Sequence, residues 1–152
     1  MAVVEARLAE LGLVLPSVAA PAGSYVPALR SGQLVFTAGQ LPFVDGVLPA
    51  TGKVGAAVDP EDAKRLAATC ALNALAAAAS VVDLDSVVRI VKLTAFVASD
   101  PSFSGQPGVV DGASDLLGEF FGEAGRHARS AVGVAVLPLD SPVEVELVLE
   151  LA

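Results

Sequence analysis

The chain has 152 residues, 54% of them hydrophobic, a mean hydropathy of +0.68 and a formal net charge of −8. That length suits one domain with a substantial core, and the acidic balance, with nine Lys and Arg in no basic run, disfavours nucleic-acid binding. A lone cysteine, Cys70, excludes an intramolecular disulfide, and no stretch of about 18 residues free of polar breaks offers a membrane span.

The opening residues carry neither the basic start nor the small-residue cleavage site of a secretory leader, so a cytoplasmic location is expected. Apolar content in excess of one core, without a membrane span, points to subunit interfaces. With one His, one Cys and no clustered carboxylates at ligand spacing, a zinc site is not expected. One domain over residues 1–152 is expected, with residues 1–20 as N-terminal helix and linker and residues 21–152 as core.

Residues 2–11 read as a short amphipathic helix, with Val4, Leu8 and Leu11 at i, i+4, i+7, closed by Gly12 and kept from resuming by Pro16. Tyr25 to Arg30, a Ser31-Gly32 turn and Gln33 to Ala38 read as a β-hairpin. Gly39 follows that strand directly, where the backbone can be approached closely. Residues 40–58 read as loop. Gly46 to Val54 fails as a phosphate-binding loop, because five residues separate Gly46 from Gly52 and Val54 follows Lys53 where Ser or Thr would bind magnesium.

Asp59-Pro60-Glu61-Asp62 is a helix start: an N-cap, a proline at the first helical position and acids in the first turn. The helix is expected to run to about Val82, with an apolar face from Ala63 to Val81 and a polar stripe through Asp62, Arg65, Thr69, Asn73 and Ser80. Cys70 falls on the apolar face, as a buried and inert thiol. Val87 to Val97 reads as a long strand apolar on both faces, which needs a second layer. Val109 to Phe121 reads as a helix with Val110, Leu116 or Leu117, Phe120 and Phe121 inward. Ser130 to Leu137 and Val143 to Leu151 read as a closing hairpin, the second strand alternating Val143, Val145, Leu147, Leu149 and Leu151 with Glu144, Glu146, Val148 and Glu150. The order predicts an α+β sandwich, one mixed sheet with two long helices on one face.

Tyr25-Val26, Phe36 to Pro42, the Lys92 to Val97 strand, Ala128 to Val132, and Leu137-Pro138 followed by Val143 to Glu146 resemble the YjgF/RidA (Rid) family over about residues 20 to 151. The resemblance implies a chorismate-mutase-like fold, a homotrimer with a cleft at each subunit interface, and hydrolysis of reactive 2-imino or enamino acids to 2-oxo acids and ammonia without metal or cofactor. Carried over by residue, Arg129 would hold the substrate carboxylate and Glu144 would orient the attacking water. Tyr25 and the backbones of Gly39 and Ala131 would line the cleft. Two positions depart from the family pattern: Ala38 stands where active members often have Ser, and Ala131 where they often have Cys. The N-terminal helix and residues 104–114 look like additions.

Each site residue has a plainer reading. Arg129 offers a permanently charged donor fork to a carboxylate, or a salt bridge to Glu150 across the expected hairpin. Glu144 belongs, on pattern alone, to a solvated strand face. If the hairpin turns near Asp140, Glu144 and Arg129 stand roughly 20 Å apart, so a shared site would take Arg129 from one subunit and Glu144 from the next. His127, the sole histidine, is a candidate general base by its usual pKa or a surface residue. The expected function is imine hydrolysis, with a small carboxylated metabolite as partner. Non-catalytic carboxylate binding is the alternative, and an endoribonuclease activity conflicts with the charge.

Overall fold

The computed structural model describes residues 2–152. Helix α1 spans Ala2–Glu10, strands β1 and β2 span Ala28–Ser31 and Leu34–Thr37, and α2 spans Pro60–Ala79. Strand β3 (Val87–Ala98), α3 (Gln106–Phe121), β4 (Ala128–Val134) and β5 (Val143–Leu151) complete the chain. The expected mixed sheet with helices is present. Its strand order is β1-β2-β5-β3-β4, antiparallel throughout except that β3 and β4 are parallel. Among the described residues no helix is long and apolar enough to cross a membrane.

That order corrects one expectation. β4 and β5 are not hairpin partners, because β3 lies between them. The β3–β4 pair is parallel and needs a crossover, which α3 provides, while Pro138–Asp140 carries the chain past β3 to the far side. Arg129 is consequently the second residue of a strand, not the end of a loop.

The N-terminus of α2 forms as its sequence dictates: Asp59 Oδ1 accepts from Glu61 N at 2.8 Å ahead of Pro60. Its small side chains, Ala63, Ala67, Cys70, Ala71, Ala74 and Ala78, are buried and let it lie close to the sheet. Cys70 is fully buried, its Sγ 3.7 Å from Val143 O, and burial first, then the Glu144 charge, pushes the thiol well above its ordinary value. An inert thiol follows. Asn73 departs from the expected polar stripe. It is buried, and its Nδ2 donates to Leu41 O and Phe43 O at 3.0 Å each, so it fixes a loop that no helical pattern could foresee. Inward positions of α3 are Val109, Val110, Ala113, Leu117 and Phe120.

The α2–α3 contact depends on Gly112, where a Cβ would overlap the Lys64 carbonyl. Gly112→Ala gains helix propensity of about 1 kcal/mol, but forcing a methyl against a backbone carbonyl costs about 1–3 kcal/mol. The carbonyl cannot swing away as a side chain would, so a net destabilisation is expected. Urea unfolding of Gly112→Ala and wild type measures it as a lower midpoint at unchanged slope.

The helices cover one face of the sheet, where Val35, Ile90, Leu93, Ala95, Val97 and the odd-numbered positions of β5 form the core. The other face is open. It carries Phe36, Val148 and Lys92 at one level, Glu146, Thr94 and Ser130 at the next, and Glu144, Phe96 and Val132 beyond. Phe36 and Val132 are 40% and 45% exposed, and β4 is an edge strand. An open sheet face with exposed Phe36 and Val132 beside an unpaired edge is a surface that another layer would cover.

Candidate functional site

Glu144 is placed by an irregularity between β2 and β5. Phe36 is level with Val148, yet Gln40 is level with Val145, so β2 spends one more residue than β5 over the interval. The extra residue makes a bulge at 37–39. Thr37 Oγ1 accepts from Leu147 N at 3.0 Å, and Gln40 and Val145 exchange backbone bonds at 2.8 and 3.0 Å, so the ladder is satisfied on either side. Over the bulge lies Gly39, and the Glu144 side chain occupies the space where a Cβ would be, with Glu144 Cδ 2.8 Å from that position. Gly39 is therefore a close-approach glycine, as its place in the sequence suggests, and what approaches is the protein's own carboxylate.

Tyr25, Ala38, Gly39 and Glu144 line one hollow of about 620 Å³, together with Pro27, Gln40, Leu41, Phe43 and Leu139. The carboxyl of Glu144 is held above its ordinary value, first by burial and then by the Glu146 charge. Leu139, which lines the hollow, and Asp140 after it both take left-handed backbone, φ 58° and 57°. The turn is tied down by Gly52 N donating to Asp140 O at 2.8 Å and Ser141 N to Pro138 O at 3.1 Å.

Arg129 and His127 line a different hollow, of about 590 Å³, with Ser114, Gly118, Glu119 and Arg126. Arg129 is level with Leu93 and Leu147 on the helix-covered face, whereas Glu144 is level with Phe96 on the open one. Three residues along and two strands across separate their backbones by about 14 Å, nearer than the roughly 20 Å expected from a hairpin but on opposite faces. The expected Arg129–Glu150 bridge is absent, since Glu150 lies 3.8 Å from Arg89 instead. Arg129 Nη1 donates to Asp111 Oδ1 at 2.8 Å and Ser114 Oγ at 3.1 Å, and Nη2 donates to Pro107 O at 3.1 Å. A guanidinium has five N–H groups. Those left over among the described residues are Nε–H and one on Nη2, adjacent nitrogens of the kind a carboxylate takes in bidentate fashion.

His127 Nδ1 donates to Ala128 O at 3.1 Å, since a carbonyl can only accept. Burial first, and then the Arg129 charge, holds the imidazole below its ordinary value, so its free Nε2 is an acceptor at neutral pH. Ala131 sits two residues beyond Arg129 on the same face, level with Ala95 and packed against the core. The chain thus assembles two groups of candidate residues: Tyr25, Ala38, Gly39 and Glu144 in one, Arg129 and His127 in the other with Ala131 along the same strand. Among the described residues no cluster of His, Cys, Asp and Glu is arranged to hold a metal. Sequence reasoning missed Asp111 and Ser114, which orient Arg129 from a helix whose register against β4 no local pattern reveals.

Residues 5–151 match the family model described as "YjgF/chorismate_mutase-like, putative endoribonuclease". "Protein TCP17" of Trypanosoma cruzi is 47% identical over 150 residues, covering 97% of this chain and 94% of that one. "Putative reactive intermediate deaminase TdcF" of Escherichia coli K12 is 34% identical over 128 residues, covering 83% of this chain and 85% of the relative. A structure of E. coli TdcF with bound serine superposes with a TM-score of 0.63 at 29% identity, over 91% of this chain and 96% of that one. A structure described as a putative endoribonuclease from Shewanella oneidensis MR-1 superposes with a TM-score of 0.93 at 38% identity, over 97% of this chain and 99% of that one.

Proposed function

The chain belongs to the YjgF/chorismate-mutase-like family, and from that premise we propose that it hydrolyses small 2-imino acids to 2-oxo acids and ammonia in clefts between the subunits of a homotrimer. The observation that carries this reading is the division of the candidate residues. Arg129 and Glu144 stand on opposite faces of one sheet, too far apart to serve one small ligand within a chain. The open face that carries Glu144 with half-exposed Phe36 and Val132, and the free edge of β4 that carries Arg129, are where neighbouring copies would bring the two halves together.

In the proposed site the Nε and Nη2 donors of Arg129 take the substrate carboxylate and so hold the imine carbon at a fixed place. Glu144 of the neighbouring subunit accepts a proton from the attacking water. Water adds to the C=N carbon, the nitrogen gains two protons in all, and the C–N bond of the resulting carbinolamine breaks to release ammonia and the 2-oxo acid. The imine carbon is already electrophilic, so an anchor, a placed water and a proton acceptor suffice. A serine bound to TdcF, a relative in fold and sequence, is a ligand of the same small carboxylated kind.

Generating imino acids in situ with an amino-acid oxidase, over a panel of amino acids, tests the reading. Faster loss of imine with wild type than with Arg129→Ala or no protein is expected, and no acceleration across the panel contradicts it. Gly39→Ala should act through Glu144. With the added methyl where the carboxylate now lies, turnover falls by up to about 10²-fold, and thermal melting beside kinetics separates that displacement from loss of the fold.

Ala38 and Ala131, standing where active members of the family often have Ser and Cys, favour a second reading: a non-catalytic binder of carboxylated metabolites in the same clefts. A tightly bound 2-oxo acid without turnover of any imine would support it. The endoribonuclease name of the Shewanella relative is a poorer guide for this chain, whose charge of −8 repels a phosphate backbone.

A further inference from the structure

Within residues 13–23, Ala19, Ala20 and Ala22 line the Glu144 hollow, and the catalytic scheme does not use them. They are anchored at both ends. Upstream, Val4 and Leu8 of α1 are 4% and 6% exposed, and the Asp85 carboxylate accepts from Val3 N and Val4 N at 3.2 and 2.9 Å. Leu13 N donates back to Leu8 O at 2.8 Å past Gly12, whose φ is +68°. Downstream, Ala22 N donates to Tyr25 Oη at 3.0 Å, which ties the segment to a residue of the hollow itself.

Between these anchors, Ala19 and Ala20 line two cavities at once. One is the Glu144 hollow; the other, of about 610 Å³, continues past Pro16, Asp45 and Asn73. Phe43 also faces both, and its backbone carbonyl is fixed by Asn73 Nδ2. Ala19, Ala20 and Phe43 are therefore the residues common to the two cavities.

We propose that Ala19, Ala20 and Phe43 form the specificity-determining wall of the cleft, receiving the side chain of a ligand whose carboxylate and C2 lie at Arg129 and Glu144. This inference rests on the reading of the cleft given above. The wall offers no charge to pair with a polar side chain, and its methyls leave space that a larger residue would fill. It selects 2-imino and 2-oxo acids with a branched apolar side chain over those with a methyl.

The test compares wild type, Ala19→Leu and Ala20→Leu in the full chain. Imine loss is followed with leucine and alanine as precursors, and binding of 4-methyl-2-oxopentanoate and pyruvate is followed by calorimetry. Wild type is expected to favour the branched compound by about tenfold or more, since three further carbons are buried. Either substitution should reduce that ratio by about tenfold. A preference retained in binding without any imine turnover sinks the deaminase reading and keeps the wall. Turnover with ratios unchanged in both variants sinks the wall and keeps the deaminase. Absence of both turnover and binding overturns the two together.

Discussion

Arg129→Ala is expected to lower kcat/KM for imine hydrolysis by about 10²–10³-fold, with secondary structure and subunit assembly preserved. The magnitude follows from what the guanidinium does. Removing one partner of a desolvated, hydrogen-bonded charge pair costs about 2–5 kcal/mol, and in the proposed site the partner left behind is the substrate carboxylate. The anchor acts before and during reaction, so the loss falls on kcat/KM and appears in KM as well as kcat. Stability changes little, because Asp111, the charged partner within the chain, is half-exposed at 50% and water can solvate it. Arg129→Lys recovers only a small part, since an ammonium keeps the charge without the planar fork. Steady-state kinetics beside circular dichroism and sedimentation check each part, and a variant with unchanged kcat/KM would remove Arg129 from the site.

Glu144→Gln is expected to lower kcat by about 10²–10⁴-fold with little effect on ligand binding. Glutamine keeps the size of the side chain over Gly39 and loses the proton acceptor. The pH dependence has a definite sign. Burial and Glu146 raise the carboxyl above its ordinary 4.5, and only the ionised form accepts a proton from water. Activity is therefore expected to be lost as pH falls through a limb lying above the ordinary carboxyl value. A kcat profile flat down to pH 4.5, or a Glu144→Gln variant with full turnover, would assign the water to another group.

Local pattern made some of this legible and topology hid the rest. The alternation of β5 and the Asp59-Pro60 start of α2 are set by nearest neighbours along the chain, and both elements form where that pattern puts them. The order of strands is not local. Pro138 to Pro142 carries the residues of a turn, so β4 and β5 look like a hairpin, yet the crossover through α3 places β3 between them. From that one difference follow the wrong partner for Arg129 and the overestimated separation from Glu144. Asn73 reads as a solvated helix position until the 41–43 loop folds over it. Gly39 is the reverse case: a glycine immediately after a strand signals a close approach, and the approach is found, though only the bulge explains why Glu144 makes it.

The central claim is that each site takes Arg129 from one subunit and Glu144 from the next. Mixing the two inactive proteins, Arg129→Ala and Glu144→Gln, after reversible dissociation tests it directly. Random reassociation pairs an intact Arg129 with an intact Glu144 at about one quarter of the interfaces, so the mixture should regain about a quarter of wild-type imine turnover. A mixture whose subunits have demonstrably exchanged and which stays as inactive as its parents would contradict the shared site.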